Sequence, residues 1–435
     1  MSKFETYSDK ALQVAAKIQS NNYLRAISNG LMATLPINIV GSIALLLAVL
    51  PVGFWQNFIG GIGLVPTLFT AYSLTVGVIS LYASFLIGYQ LADNLGQKPI
   101  PAGIVSLFSF LILTPMITLD DVTTLNNSKL GAAGLFTAMI SALIFSRIYC
   151  FFMEKKIGIK MPESVPQFVS DVFSGLIPVL IAATIAIFLS FLFGKTSYGS
   201  FSDFVYSIIA TPLQSLSSNV GSMLLIVLVQ MSLWFFGIHG SNVVASFIAA
   251  LYLPMDVANM DALKSGATNA ELPNILGSSF YNTFAGIGGA GGTLSLIIVI
   301  LLFSKAKQAK AVANLSAVPG LFTINEPMIF GLPLVLNPIM AIPFILTPLA
   351  QVLIAYLGIS SGLFPRLSGV QVPFGMPVGI NGFLAGGWKI TLLQMICVLV
   401  GCLVYYPFVK LLDKKMSEDS EEEEALQFNE QPTAD

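Results

Sequence analysis

Charge is what this sequence has least of. Only 10% of its 435 residues are Asp, Glu, Lys or Arg, and 55% are hydrophobic; a soluble domain carries about a quarter charged residues. This balance excludes a large soluble catalytic domain and leaves a chain suited to lipid. Twenty Lys and Arg stand against 22 Asp and Glu, scattered between apolar runs, so the basic face of a nucleic-acid binder is missing. Histidine occurs once and cysteine three times, at Cys150, Cys397 and Cys402. Nothing in their spacing suits a metal or redox centre, so no metal and no other cofactor is expected. The first 28 residues are polar and mixed in charge, unlike a cleavable signal, and the N-terminus is expected to be retained.

Long apolar runs are there in number. A spanning helix needs about 20 apolar residues, and such runs predict helices over 29–50, 66–90, 100–119, 131–152 and 173–194. A second set is predicted over 218–236, a short 240–254, 281–304, 334–358 and 383–408. The fold class expected is an all-α polytopic membrane protein of about ten spans in two five-helix halves, 1–215 and 216–412. Segments 195–215 and 162–175 alternate apolar and polar residues at roughly helical spacing and predict amphipathic helices at the membrane surface. Residues 413–435, rich in Glu, are expected to form a disordered acidic tail.

Basic residues gather on the cytoplasmic side of membrane proteins. With the N-terminus inside, 15 of the 20 Lys and Arg fall in cytoplasmic segments, so both termini are expected in the cytoplasm.

Ionisable side chains at membrane depth cost several kcal/mol (about 3 on insertion scales) and ask for a partner or a task. His239 follows an apolar run directly, between Gly237 and Gly240. Glu326 stands among apolar residues and is the only carboxylate between Glu271 and Asp413. Because Pro327 pushes the preceding residue out of the helical region, Asn325, Glu326 and Pro327 predict a break in an apolar stretch. Irregular backbone at membrane depth is tolerated only against protein or a water-filled cavity, so a re-entrant hairpin or broken helix is expected here. A histidine at a helix end also serves as a plain cap, and Glu326 would be a loop charge if the hairpin lay outside the bilayer. Asn242 and Asn325 can donate and accept toward hydroxyl groups, or satisfy freed backbone groups. Trp234 and Phe374 could offer ring faces to a sugar, although most aromatic residues in such chains only pack.

Two motifs lead nowhere. The glycines at 286, 288, 289, 291 and 292 open a membrane helix with no preceding strand, so the dinucleotide fingerprint fails and close helix packing accounts for them better. Gly194, Lys195 and Thr196 mimic the end of a phosphate loop, but Leu189 stands where its first Gly is needed.

The strings WFFGIHGSNVV (234–244), INEPMIFGLPLVLNPIMAIPFILTP (324–348) and RAISNGLMATLPINIVGS (25–42) resemble the IIC membrane component of the bacterial phosphoenolpyruvate-dependent sugar phosphotransferase system, lactose/cellobiose/chitobiose branch. The resemblance covers about 15–410. It implies a ten-helix homodimer in the bacterial cytoplasmic membrane, with the first half as dimer scaffold and the second half holding a disaccharide between re-entrant hairpins. It also implies that His239 and Glu326 contact the sugar, and that Glu326 helps a primary hydroxyl accept a phosphoryl group. The donor would be a phosphocysteine on IIB, expected as a separate protein, so the chain performs no chemistry alone. Where the family reads VPW, this sequence has VPFGMP at 372–377, with Phe374 for the Trp. A cellobiose- or chitobiose-type sugar is expected, lactose or an aromatic β-glucoside being alternatives.

The chemistry agrees with that resemblance. An alcohol is a weak nucleophile at neutral pH, and a positioned carboxylate can take its proton as it attacks. The residues alone also leave open a proton-coupled disaccharide symporter with Glu326 as proton carrier.

Overall fold

A computed structural model of the chain describes residues 13, 16–18 and 20–429, apart from 51, 120, 160, 163, 333 and 374. Among the described residues, seven helices are long and apolar enough to span a membrane: Asn22–Val49, Leu64–Asn94, Ala132–Glu154, Phe173–Gly194, Gly240–Lys264, Pro338–Ser360 and Trp388–Met416. Phe201–Ser217 and Val220–Phe235 meet at 76° and make an eighth if taken as one span. The expected ten is therefore not reached by helix length alone. Two of the predicted spans fall on shorter apolar helices, Pro99–Leu113 and Ala290–Phe303.

The differences have local causes. The predicted 100–119 helix stops at Leu113 because Thr114 precedes Pro115 and is extended, with φ −89° and ψ 128°. A two-stranded antiparallel hairpin follows, β1 (Met116–Leu119) and β2 (Val122–Leu125), in the register Met116 to Leu125. The predicted 281–304 helix is broken, with a short piece Ser278–Phe284 and a longer one, Thr293–Phe303. Between them Gly288, Gly289, Gly291 and Gly292 all take positive φ, which residues with a Cβ adopt at a cost. The expected close packing is present too, since a Cβ on Gly291 would enter the ring of Phe344 and one on Gly292 would meet Thr347.

The short 240–254 helix instead continues to Lys264 through Pro254, which carries Asp256, Asp261 and Lys264 into the span. In the last predicted span, Ile380–Gly386 is separated from Trp388 by Gly387 at φ 81°. That final helix runs to Asn429, so part of the tail expected to be disordered has helical backbone; between Lys410 and Asn429 no Gly or Pro stops it, and Glu, Ala, Leu and Gln favour helix. The 162–175 segment joins the following span as one helix, Gln167–Gly194. The 195–215 segment forms Phe201–Val205, a π turn and Thr211–Ser217. Its start is capped by Ser200, whose Oγ accepts from the Asp203 amide at 3.0 Å, and Asp203 pairs with Lys129 beyond the hairpin.

Two large apolar clusters form the interior. One draws on Ala26, Ile87, Val105, Phe145 and Ala186, and the other on Met223, Phe284, Leu296, Phe344 and Tyr405. In lipid, helices gain little from hydrophobic burial and associate by close packing and interhelical hydrogen bonds. Gly88 lets Ser106 approach its backbone, and Gly30 does the same for Ile87. The Gly240–Lys264 helix contributes to both clusters: Tyr252 to the second, Val257 and Met260 to the first. It also ties the two by hydrogen bonds, Tyr72 Oη donating to Asp261 at 2.7 Å and Lys264 Nζ to Ser73 at 2.8 Å.

Candidate functional site

His239 is the residue on which the Gly240–Lys264 helix begins, with φ −68° and ψ 80° and no side-chain cap bond. The plain capping role is therefore not the one it plays. Gly237, at φ 77°, turns the chain between the end of Val220–Phe235 and this start. Gly240 lets the new helix touch the old one, because a Cβ there would overlap the Gln230 carbonyl oxygen. The imidazole lies against the Trp234 indole, ring centroids 4.4 Å apart at 48°. Trp234 is 7% exposed, whereas His239 and Asn242 are exposed.

Glu326 opens a short helix, Glu326–Gly331, with Pro327 in its first turn. The irregular backbone predicted at Asn325, Glu326 and Pro327 lies on either side of it. Before it, Thr323 has φ 63°; after it, Leu332 is extended and Leu336 has φ 56°. Pro327 lacks an N–H, and at the first turn of a helix that amide would have no intrahelical partner anyway. Glu326 is exposed and Asn325 buried. Asn325 does not cap this helix; its Nδ2 donates to the Ala290 carbonyl at 2.7 Å, so its amide serves the glycine break. Gly289, at φ 94°, is required there because a Cβ would strike the Asn325 carboxamide.

The chain following the Glu326 helix meets the turn that precedes His239. The Leu336 amide donates to the Phe235 carbonyl at 3.0 Å, and Gly237 faces Val335. A third irregular segment joins them, the Val378 amide donating to the Leu321 carbonyl at 2.8 Å. Phe374 lies outside the described residues. The third segment is held by Gln394, which accepts from the Gly379 amide at 2.7 Å and donates to the Thr283 carbonyl at 2.9 Å.

Other polar groups escaped the sequence reading. Asp256, 1% exposed, accepts from the Ser279 amide and hydroxyl at 2.8 and 2.6 Å and from Gln371 at 2.9 Å. The predicted end at 254 places this carboxylate in a loop, whereas the helix runs to Lys264. Asn259 adds bonds to Asn274 and Leu367. Gln230 and Tyr281 were missed because a search for charge passes over neutral polar side chains; the signal available was one glutamine in the apolar run 218–236. No group of three His, Cys, Asp or Glu suited to a metal occurs among the described residues.

Apolar spans interrupted by short helices, with an imidazole and a carboxylate set at the breaks, define a polytopic membrane carrier for a small polar solute. The family model of the phosphotransferase system EIIC component matches residues 28–348. A Bacillus subtilis oligo-beta-mannoside-specific EIIC component is 35% identical, over 98% of this chain and 98% of its own. A cellobiose-specific EIIC component of Geobacillus stearothermophilus is 32% identical, over 95% of each. The crystal structure of ChbC, the IIC component of the N,N′-diacetylchitobiose-specific system, superposes with a TM-score of 0.88 at 32% identity, covering 94% of this chain and 98% of that one. The chain belongs to the EIIC family of the phosphotransferase system, and it is a sugar permease.

Proposed function

We propose that this permease binds a β-linked disaccharide of the cellobiose or chitobiose type and presents it for phosphorylation by phosphorylated IIB. His239 and Glu326 contact the sugar, with Asn242 beside His239. Glu326 takes the proton of the attacking primary hydroxyl, and the phosphoryl group leaves the IIB cysteine for the sugar oxygen. Such transfer depends mainly on positioning and on stabilising charge over the phosphoryl oxygens; His239 serves that purpose when protonated and holds a hydroxyl when neutral. Trp234 is a prop for the imidazole more than a stacking platform, given its burial under it.

The observation that carries this reading is the main-chain bond from Leu336 to Phe235, which joins the chain following the Glu326 helix to the end of the helix that precedes His239. The names of the relatives support the sugar class. Residues 1–215 serve as scaffold and dimer interface and 216–412 as the transporting half, in a homodimer of the bacterial cytoplasmic membrane with both termini inside. Membership of a phosphotransferase family does not favour the proton symporter that Glu326 alone left open.

The test loads membrane vesicles containing the chain with labelled cellobiose outside, with and without phosphorylated IIB. Sugar phosphate inside, dependent on IIB, is expected. Free sugar whose accumulation collapses with a protonophore would establish the symporter instead.

A further inference from the structure

Behind His239 four polar side chains form a short relay. Tyr281 Oη lies 2.7 Å from Gln230 Oε1, Gln230 Nε2 lies 2.9 Å from Ser241 Oγ, and Trp234 Nε1 lies 3.3 Å from the same Ser241 Oγ. Gln230 is 4% exposed, and Ser241 and Tyr281 are half-buried. The relay spans three elements: the helix ending at Phe235, the first turn after His239, and the short helix Ser278–Phe284 next to the glycine break.

The protons of this relay can be counted. An indole N–H only donates, a carboxamide donates through nitrogen and accepts through oxygen, and a hydroxyl donates one proton. As drawn, Tyr281 donates to Gln230, while Gln230 and Trp234 both donate to Ser241. Ser241 accepts twice and its own proton goes to none of them. The carboxamide has a second orientation with oxygen and nitrogen exchanged. Ser241 then donates to Gln230, Gln230 donates to Tyr281, and the phenolic proton is left over. Both arrangements satisfy all three contacts and leave one hydroxyl proton, and the second N–H of the carboxamide, without an acceptor in the relay, whose Trp234 indole lies against the exposed imidazole.

We propose that Gln230 and Tyr281 are positioning residues for sugar binding, which fix the Trp234 indole under His239 and reserve one hydroxyl proton, from Ser241 or Tyr281, for a sugar oxygen. This rests on the reading of His239 as a sugar contact. A site built to hydrogen-bond a hydroxyl rejects analogues lacking it, because its own donor is then left unpaired.

The test uses full-length protein carrying Trp55→Phe and Trp388→Phe, which leaves Trp234 as the only indole among the three in the sequence. Into it go Tyr281→Phe, which keeps the ring, and Gln230→Met, which keeps the length. Binding of cellobiose and of N,N′-diacetylchitobiose, IIB-dependent phosphorylation and Trp234 emission are measured. Each variant is expected to weaken sugar binding about fivefold, the worth of one net hydrogen bond, to raise KM with kcat unchanged, and to shift Trp234 emission even without sugar. Unchanged emission in both variants, or a lowered kcat with unchanged KM, would overturn the proposal. His239→Ala with undiminished sugar binding would remove the site reading, and a shifted Trp234 emission in Tyr281→Phe would still establish the clamp.

Discussion

Glu326 and Asp256 are two carboxylates in opposite circumstances. Asp256 is sealed in protein, with Ser279 and Gln371 donating to it, and a Cβ on Gly277 would overlap its carboxylate. Glu326 is exposed at a helix break, with Pro327 next to it in place of an amide donor. A saturated buried carboxylate holds three segments together, whereas an uncovered one can act on a molecule that arrives. Burial, taken alone, would favour Asp256 over the residue proposed to act.

That contrast can be broken by mutation. The largest effect is expected from Glu326→Gln, which removes the proposed proton acceptor and keeps the shape. IIB-dependent phosphorylation should fall by at least about a hundredfold, the lower end of what general base catalysis supplies, while sugar still binds. Normal phosphorylation in this variant would take Glu326 out of the catalytic role. Asp256→Ala should spare no function selectively but lower stability, since it strands the Ser279 amide and hydroxyl and Gln371. Each stranded donor costs about 1–3 kcal/mol, so thermal unfolding in detergent should show a marked drop in Tm; an unchanged Tm would mean the cluster is dispensable.

Gly289→Ala sharpens the comparison by touching the Glu326 segment from behind. A methyl group at φ 94° would push on Asn325, with a strain of about 1–3 kcal/mol, and turnover is expected to fall more than the amount of folded protein. Equal losses of both would make Gly289 purely structural. The smallest effect belongs to Arg147→Ala, which breaks the half-exposed pair with Glu154 at 2.9 Å. Such pairs contribute about 0–1 kcal/mol, so Tm should fall by no more than a few degrees with uptake unchanged; a larger drop or a loss of uptake would show that this pair has a task.

Much of the candidate site was legible. His239 and Glu326 stood out because a charge in an apolar run has a known cost, and the glycines and Pro327 around them marked irregular backbone. The break falls around Glu326 and not on it, because a proline is tolerated in a first helical turn. Asp256 was hidden by an element boundary placed ten residues short at Pro254, which this helix accommodates. Phe374, the expected departure from VPW, lies outside the described residues.

Composition and run length by themselves determined that the chain lives in a membrane, that it is helical, and which two ionisable residues sit among apolar neighbours. These are local properties, set by solvation cost and backbone preference. That Asn325 turns to Ala290, that Asp256 has its donors, and that Tyr281 reaches Gln230 were decided only by tertiary structure. Each depends on partners from 20 to more than 100 residues apart, and no local pattern records a hydrogen bond across that distance.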